Sequence, residues 1–201
     1  MKKNLILGLA TLGLVVAMTS CSSVPQEKID AANVAVDSAK IEGADLYLPE
    51  AFTALQDSLN VALQTVEEQK SKLFGSSAEA KAKLEAVVTL AGQVKEQTAA
   101  KKVEIKAAVE TMIGEINQLI LDNKALVASA PKGKEGTAAL EAIKGEIAVL
   151  ETSVTETAGL LESGDLLGAQ NKSTATKMKA ESIKAELTEV IAKYKAAAKR
   201  K

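Results

Sequence analysis

Residues 77–129 read SAEAKAKLEAVVTLAGQVKEQTAAKKVEIKAAVETMIGEINQLILDNKALVAS, 53 positions without a proline. Within them Leu84, Val87, Val88, Ala91, Val94, Ile105, Val109, Met112, Ile116, Leu119 and Leu126 recur at steps of three and four residues. Such steps gather side chains onto one stripe of an α-helix, whereas a strand would alternate every second residue. The stretch therefore predicts one very long helix, roughly 80 Å at 1.5 Å per residue. Its midpoint, Lys95 to Lys102, reads KEQTAAKK and is polar. There the sequence allows either a waist between two bundles on a continuous helix or a break.

The flanking segments are measured against this helix. Residues 49–74 form a predicted helix of 26 residues and residues 137–163 one of 27, together as long as the central one. Short connections make neighbouring helices antiparallel, so one flank can lie along each half. The predicted fold is all-α: an elongated antiparallel helical bundle of about five helices. It is arranged as two three-helix bundles sharing the long central helix, with sub-bundles at about 25–100 and 101–199 of a helical domain spanning 25–199.

Turn residues punctuate this reading. The first helix has Pro25 in its first turn, a narrow stripe of Ile29, Ala32, Val36 and Ala39, and a stop at Gly43. The second starts at Pro49-Glu50 and buries Phe52, Leu55, Leu59, Ala62, Val66 and Leu73. Ser76 with Glu79 makes a capping box for the central helix. After the loop Pro131 to Gly136, Thr137 caps the fourth helix, whose inner face is Leu140, Ile143, Ile147, Leu150, Val154 and Leu161. Gly164 ends it, and Asp165 caps a fifth helix with the stripe Leu166, Ala169, Ile183, Leu187, Val190 and Tyr194, weakened in the middle by Ser173 and Thr176.

Composition excludes whole classes of chemistry. The chain has no His and no Trp, one Cys, and four aromatic residues, Tyr47, Phe52, Phe74 and Tyr194. It thus lacks the usual general base near neutral pH, the usual triad partner and the commonest zinc ligand. Too few rings are present for a base- or sugar-stacking platform, and 25 basic against 26 acidic residues give no field to draw nucleic acid. An enzyme is not expected, nor a cofactor, a metal site or a small-molecule substrate.

The N-terminus reads as an address. Lys2-Lys3 precede an uncharged apolar run from Leu5 to Met18, followed by Thr19-Ser20-Cys21. The run is shorter than the approximately 20 residues a spanning helix needs, so residues 1–20 are expected to be a cleaved signal peptide. Met18-Thr19-Ser20-Cys21 resembles the lipobox of bacterial lipoproteins, with Met18 at the position that usually carries Leu. The resemblance implies that Cys21 receives a diacylglycerol and an N-acyl chain such as palmitate, and that residues 21–24 form a lipidated tether. A single Cys has no internal disulfide partner in an oxidising envelope, and acylation accounts for it. Two or more acyl chains anchor a protein stably. Ser22 stands where enterobacterial lipoproteins kept at the inner membrane have Asp, so the resemblance implies the bacterial outer membrane, with the periplasmic face expected.

Removal of residues 1–20 leaves 23 basic and 26 acidic groups. After Glu189 no acid remains, while Lys193, Lys195, Lys199, Arg200 and Lys201 are all cationic. Residues 193–201 thus form a basic tip on an otherwise anionic chain. Lys199, Arg200 and Lys201 are the candidate contact to the cell wall or another anionic surface, at about 1 kcal/mol per charge near an anionic membrane.

Ile41-Glu42-Gly43-Ala44-Asp45-Leu46-Tyr47-Leu48-Pro49-Glu50-Ala51 resembles the turn of domain-of-unknown-function family 4398, Ala-rich helical hairpins of bacterial envelope lipoproteins. The Ala-spaced first helix, the Gly-Ala turn, the Tyr-x-Pro-Glu junction and the apolar-spaced second helix carry the likeness, which covers the N-terminal half. Gly164-Asp165-Leu166-Leu167-Gly168-Ala169 resembles the Gly-Asp turn of such hairpins. The resemblance implies fold and compartment and brings no catalytic residues. A second likeness, to peptidoglycan-linked outer-membrane lipoproteins, rests on Cys21-Ser22-Ser23, Lys28-Ile29-Asp30, Tyr194 and Arg200-Lys201. It implies attachment to the wall through the terminal Lys, but this chain is much longer and lacks the continuous single-helix heptads of that family.

Remaining motifs have plain structural readings. Ser129-Ala130-Pro131-Lys132 matches S-x-x-K but sits at a helix end without S-D-N or K-T-G. Gly133 to Gly136 lacks the G-K-[ST] of a phosphate loop and reads as a linker. Glu67, Glu68 and Lys72 read as surface pairing, and Met112 and Leu119 as core. The expected function is that of a lipid-anchored envelope lipoprotein acting as a non-catalytic spacer or interaction module. Its partners would be the membrane and either peptidoglycan or another envelope protein. The rival is an assembly adaptor that holds a partner helix in an inter-helix groove, marked by exposed apolar residues between the first and fifth helices.

Overall fold

A computed structural model describes residues 24–70, 77–131 and 136–198. Among them are six α-helices and no strand: α1 (Gln26–Ile41), α2 (Ala44–Tyr47), α3 (Pro49–Lys70), α4 (Ala78–Ser129), α5 (Gly136–Ser163) and α6 (Leu166–Ala198). The chain is all-α, and α4 is the long central helix, continuous through the polar midpoint. It divides into two compact units between Ala99 and Ala100.

The reason for two units lies in the stripe of α4. Leu84, Val87, Ala91 and Val94 are buried in one core, and Ile116, Ile120 and Val127 in another. Between Thr98 and Ile105, both buried, the intervening turn carries Lys101 and Lys102. Ammonium groups at that step keep one core from running on into the next.

In the first unit α1 ends at Gly43, whose φ of 93° lies in the left-handed region and whose N–H donates to Lys40 O at 2.7 Å. A Cβ is strained there, which is why the position takes glycine. The single turn α2 follows, absent from the sequence reading. It stops at Leu48 (φ −141°, ψ 58°) because the residue before Pro49 is driven out of the helical region, and Pro49 then opens α3. Lys28 Nζ meets Glu85 Oε1 at 2.9 Å and Lys95 Nζ donates to Ser38 Oγ at 3.2 Å, both 57 residues apart in sequence. A constant offset means that α1 runs parallel to α4. Lys83 Nζ, donating to Thr65 Oγ1 at 3.0 Å, ties α3 to α4. The core between them holds Ala32, Val36 and Ala39 of α1, Ala44 of α2, and Phe52, Leu55, Ala62 and Val66 of α3.

In the second unit the α5–α6 turn is built by two residues. Gly164 has φ 83°, its N–H donates to Leu161 O at 3.2 Å, and the Asp165 N–H donates to Leu160 O at 2.9 Å. That pair closes the carbonyls of α5 in the Schellman manner. Asp165 Oδ1 then accepts the Gly168 N–H at 2.9 Å and caps α6, as the sequence predicts. The Thr137 cap is displaced: α5 already begins at Gly136, which puts Thr137 in its first turn. Likewise Pro25 is the residue before α1, its carbonyl accepting from Lys28 N–H at 3.0 Å. The Ser76 capping box, Leu73, Phe74 and the loop 132–135 lie outside the described residues.

Ion pairs fix the register of the second unit. Lys177 meets Glu115 and Lys184 meets Asp122, each at 2.6 Å and each 62 residues apart, so α6 runs parallel to α4. Lys179 reaches Glu146 at 2.9 Å, Lys172 pairs with Glu156, and Lys124 meets Glu151 at 2.6 Å. These pairs run in the opposite sense and make α5 antiparallel to both neighbours.

Among the described residues the predicted stripes hold with three exceptions. Val88 is 39 % exposed, Val190 47 % and Tyr194 58 %. The first lies one residue off the path Leu84–Val87–Ala91, and the second yields to Ile191, which continues the step from Ile183 and Leu187. Tyr194 lies beyond the reach of α4, because the 62-residue offset aligns Ala192 with Ala130, one residue past its end.

Candidate functional site

Among the described residues no three His, Cys, Asp or Glu side chains gather as a metal site, and no helix is long and apolar enough to cross a membrane. The motifs weighed in the sequence fall as follows. Ser129 Oγ donates to Leu126 O at 3.0 Å, closing the last turn of α4, while Lys132 is outside the described residues. Glu67 pairs with Lys70 at 2.7 Å on the surface of α3. Met112 and Leu119 pack against the second core, and Phe52 belongs to the first. The lipobox Met18, Thr19, Ser20 and Cys21, and the terminal Lys199, Arg200 and Lys201, lie outside the described residues.

Three features of the second unit stand out. The first is a groove of about 570 Å³ between α4 and α5. Val127, Leu140 and Ile147 line it, and the pairs Lys124–Glu151 and Lys144–Glu141 (2.7 Å) belong to its walls. Each ammonium there already meets a carboxylate, so the groove offers apolar surface and no uncompensated charge. It lies wholly within the second unit.

The second feature is Asn123, which is fully buried on α4 and was not singled out in the sequence. Its Nδ2 donates to Ala180 O of α6 at 2.9 Å, while its Oδ1 has no hydrogen-bond partner. A lone Asn at a stripe position fixes register at some cost in stability. The signal was its place three residues after Ile120 and four before Val127.

The third is the inner face of α6, where Ala169, Ser173, Thr176 and Ala180 are buried in succession. Ser173 Oγ donates to Gln170 O at 2.9 Å and Thr176 Oγ1 to Lys172 O at 2.7 Å, so both hydroxyls are satisfied within their own helix. Small residues let α6 approach closely, and Lys172, Lys177, Lys179 and Lys184 pair along its two edges. The Glu115 carboxylate, by hydrogen bond and then by charge, raises the Lys177 ammonium above its ordinary pKa. Hydrogen bonds from Lys184 and then Gln118 hold Asp122 below the usual carboxylate range. Both groups are solvated, so these pairs set register more than they add stability.

No family model matches this chain, and no curated protein or solved structure matches it.

Proposed function

We propose that this chain is a bacterial envelope lipoprotein, held in the outer membrane by acyl chains on Cys21, whose helical region serves as a non-catalytic spacer or interaction module. The observation that carries the reading is Met18-Thr19-Ser20-Cys21 after a short apolar run led by Lys2-Lys3. The unpaired Cys and the lack of any His support it. So does the make-up of the units, in which small residues fill the inner faces of α1 and α6 and charges pair at helix edges, a way to build long helices.

Fractionation with labelled palmitate tests the anchor. The native chain is expected in the detergent phase carrying label, and a Cys21→Ser chain in the aqueous phase without it. Label retained by Cys21→Ser, or a native chain without label, overturns the proposal.

The basic end supports a second reading, a wall tether linked through Lys201. Lysozyme digestion of the sacculus decides it. A muropeptide recovered on the C-terminal peptide establishes the tether, and release of the chain by detergent alone leaves the free spacer.

A further inference from the structure

Among the residues of α6 whose burial is described, Ile191 is the last buried one, and Ala192 to Ala196 are all exposed. Val190 and Tyr194, one helical turn apart, share an outward face. Lys193 and Lys195 flank the ring, Glu189 is the last acid, and its carboxylate is taken up by Lys193 at 2.5 Å. Of the other exposed apolar residues, Ile41 and Leu46, 87 % and 64 % exposed, stand next to Glu42 and Asp45, and Met178, 66 % exposed, stands between Lys177 and Lys179, which pair with Glu115 and Glu146.

We propose that this end of α6, with Tyr194 and Val190 as its apolar face and Lys193 and Lys195 at its flanks, docks on an anionic lipid bilayer. A phenol ring is suited to the headgroup boundary, one end apolar and the other wet. Lysine stems cover apolar surface while their ammonium groups stay among phosphates. A polyanionic wall polymer would be served by the lysines alone and gives no role to the exposed ring and Val190, so the lipid surface is the better fit. The cations of Lys199, Arg200 and Lys201 in the sequence add to the same attraction. The proposal rests on the envelope reading for a membrane within reach.

The chain contains no Trp, so Tyr194→Trp gives the full-length protein a single indole at an exposed position. The protein is added to vesicles of phosphatidylcholine alone, or of phosphatidylcholine with phosphatidylglycerol. Indole emission is expected to shift to the blue, and to be quenched by brominated acyl chains, on the anionic vesicles only. Lys195→Gln is expected to lower this binding about fivefold, the equivalent of about 1 kcal/mol per cation, and Lys193→Gln to lower it by less, since Glu189 already pairs that ammonium. No shift on anionic vesicles, a shift that survives both lysine changes, or shielding only by purified peptidoglycan overturns the proposal. Co-flotation with phosphatidylcholine vesicles reports the acyl anchor separately. Its loss with the indole shift retained overturns the anchor and supports the docking surface.

Discussion

Gly164 and Asn123 are the residues at which a small change has the most specific consequence. At Gly164 the space around a new Cβ is open but φ is +83°, so only backbone strain is added by a side chain. Gly164→Ala is expected to cost about 1–2 kcal/mol, and thermal unfolding followed by circular dichroism will show it as a lowered Tm. At Asn123 the consequence is electrostatic. Asn123→Asp places a carboxylate in a site that offered Oδ1 no donor, and should cost several kcal/mol at neutral pH. Burial raises that carboxyl above its unfolded pKa, so the loss is largest above the folded value and fades as pH falls through it. Urea unfolding at pH 7 and pH 4 measures this, and a loss equal at both values would contradict it. The sequence revealed Gly43, Gly164 and Asp165 plainly, because turn chemistry is local. It did not reveal Asn123, since a polar residue on a stripe looks like an interruption until its partner, the Ala180 carbonyl, is known.

At the level of elements, α6 is the informative case. Its edges pair with α4 and α5 through four lysines, while its inner face from Ala169 to Ala180 carries no large apolar side chain. Asp122, depressed by Lys184 and Gln118, contributes stability that is present above its unfolded pKa of about 4 and is lost as pH falls through the folded value. Lys177, raised by Glu115, contributes in the opposite sense: its share is present below the unfolded pKa and is lost as pH rises through the raised one. The protection of α6 amides, corrected for the intrinsic exchange rate, is therefore expected to be flat through the neutral range and to weaken slightly toward both extremes. In Asp122→Asn the acid limb of this response should weaken. An unchanged acid limb would mean that Asp122 has no part in seating α6. Hydropathy alone could not choose Ile191 over Val190, since both are apolar and lie side by side on the helix. The choice was made by register, which the 62-residue offset to α4 supplies.

For the whole molecule, the division at Ala99 and Ala100 has an energetic corollary. Leu55 is fully buried in the first core and is remote in sequence from every residue of the second. Leu55→Ala is expected to cost about 2–5 kcal/mol. Hydrogen exchange should register it in α1, α3 and the first half of α4, with α5 and α6 keeping their protection. Equal loss in both units would contradict two separate cores. The long central helix was legible in the sequence because it rests on periodicity and the absence of proline, both local signals. The compartment and the anchor rest instead on four residues, Met18 to Cys21. Intact mass of the protein extracted from its native membrane tests them most directly. The account predicts a chain that begins at Cys21 and carries the added mass of two or three acyl chains with glycerol. A chain retaining residues 1–20, or one that begins elsewhere without lipid, would contradict it.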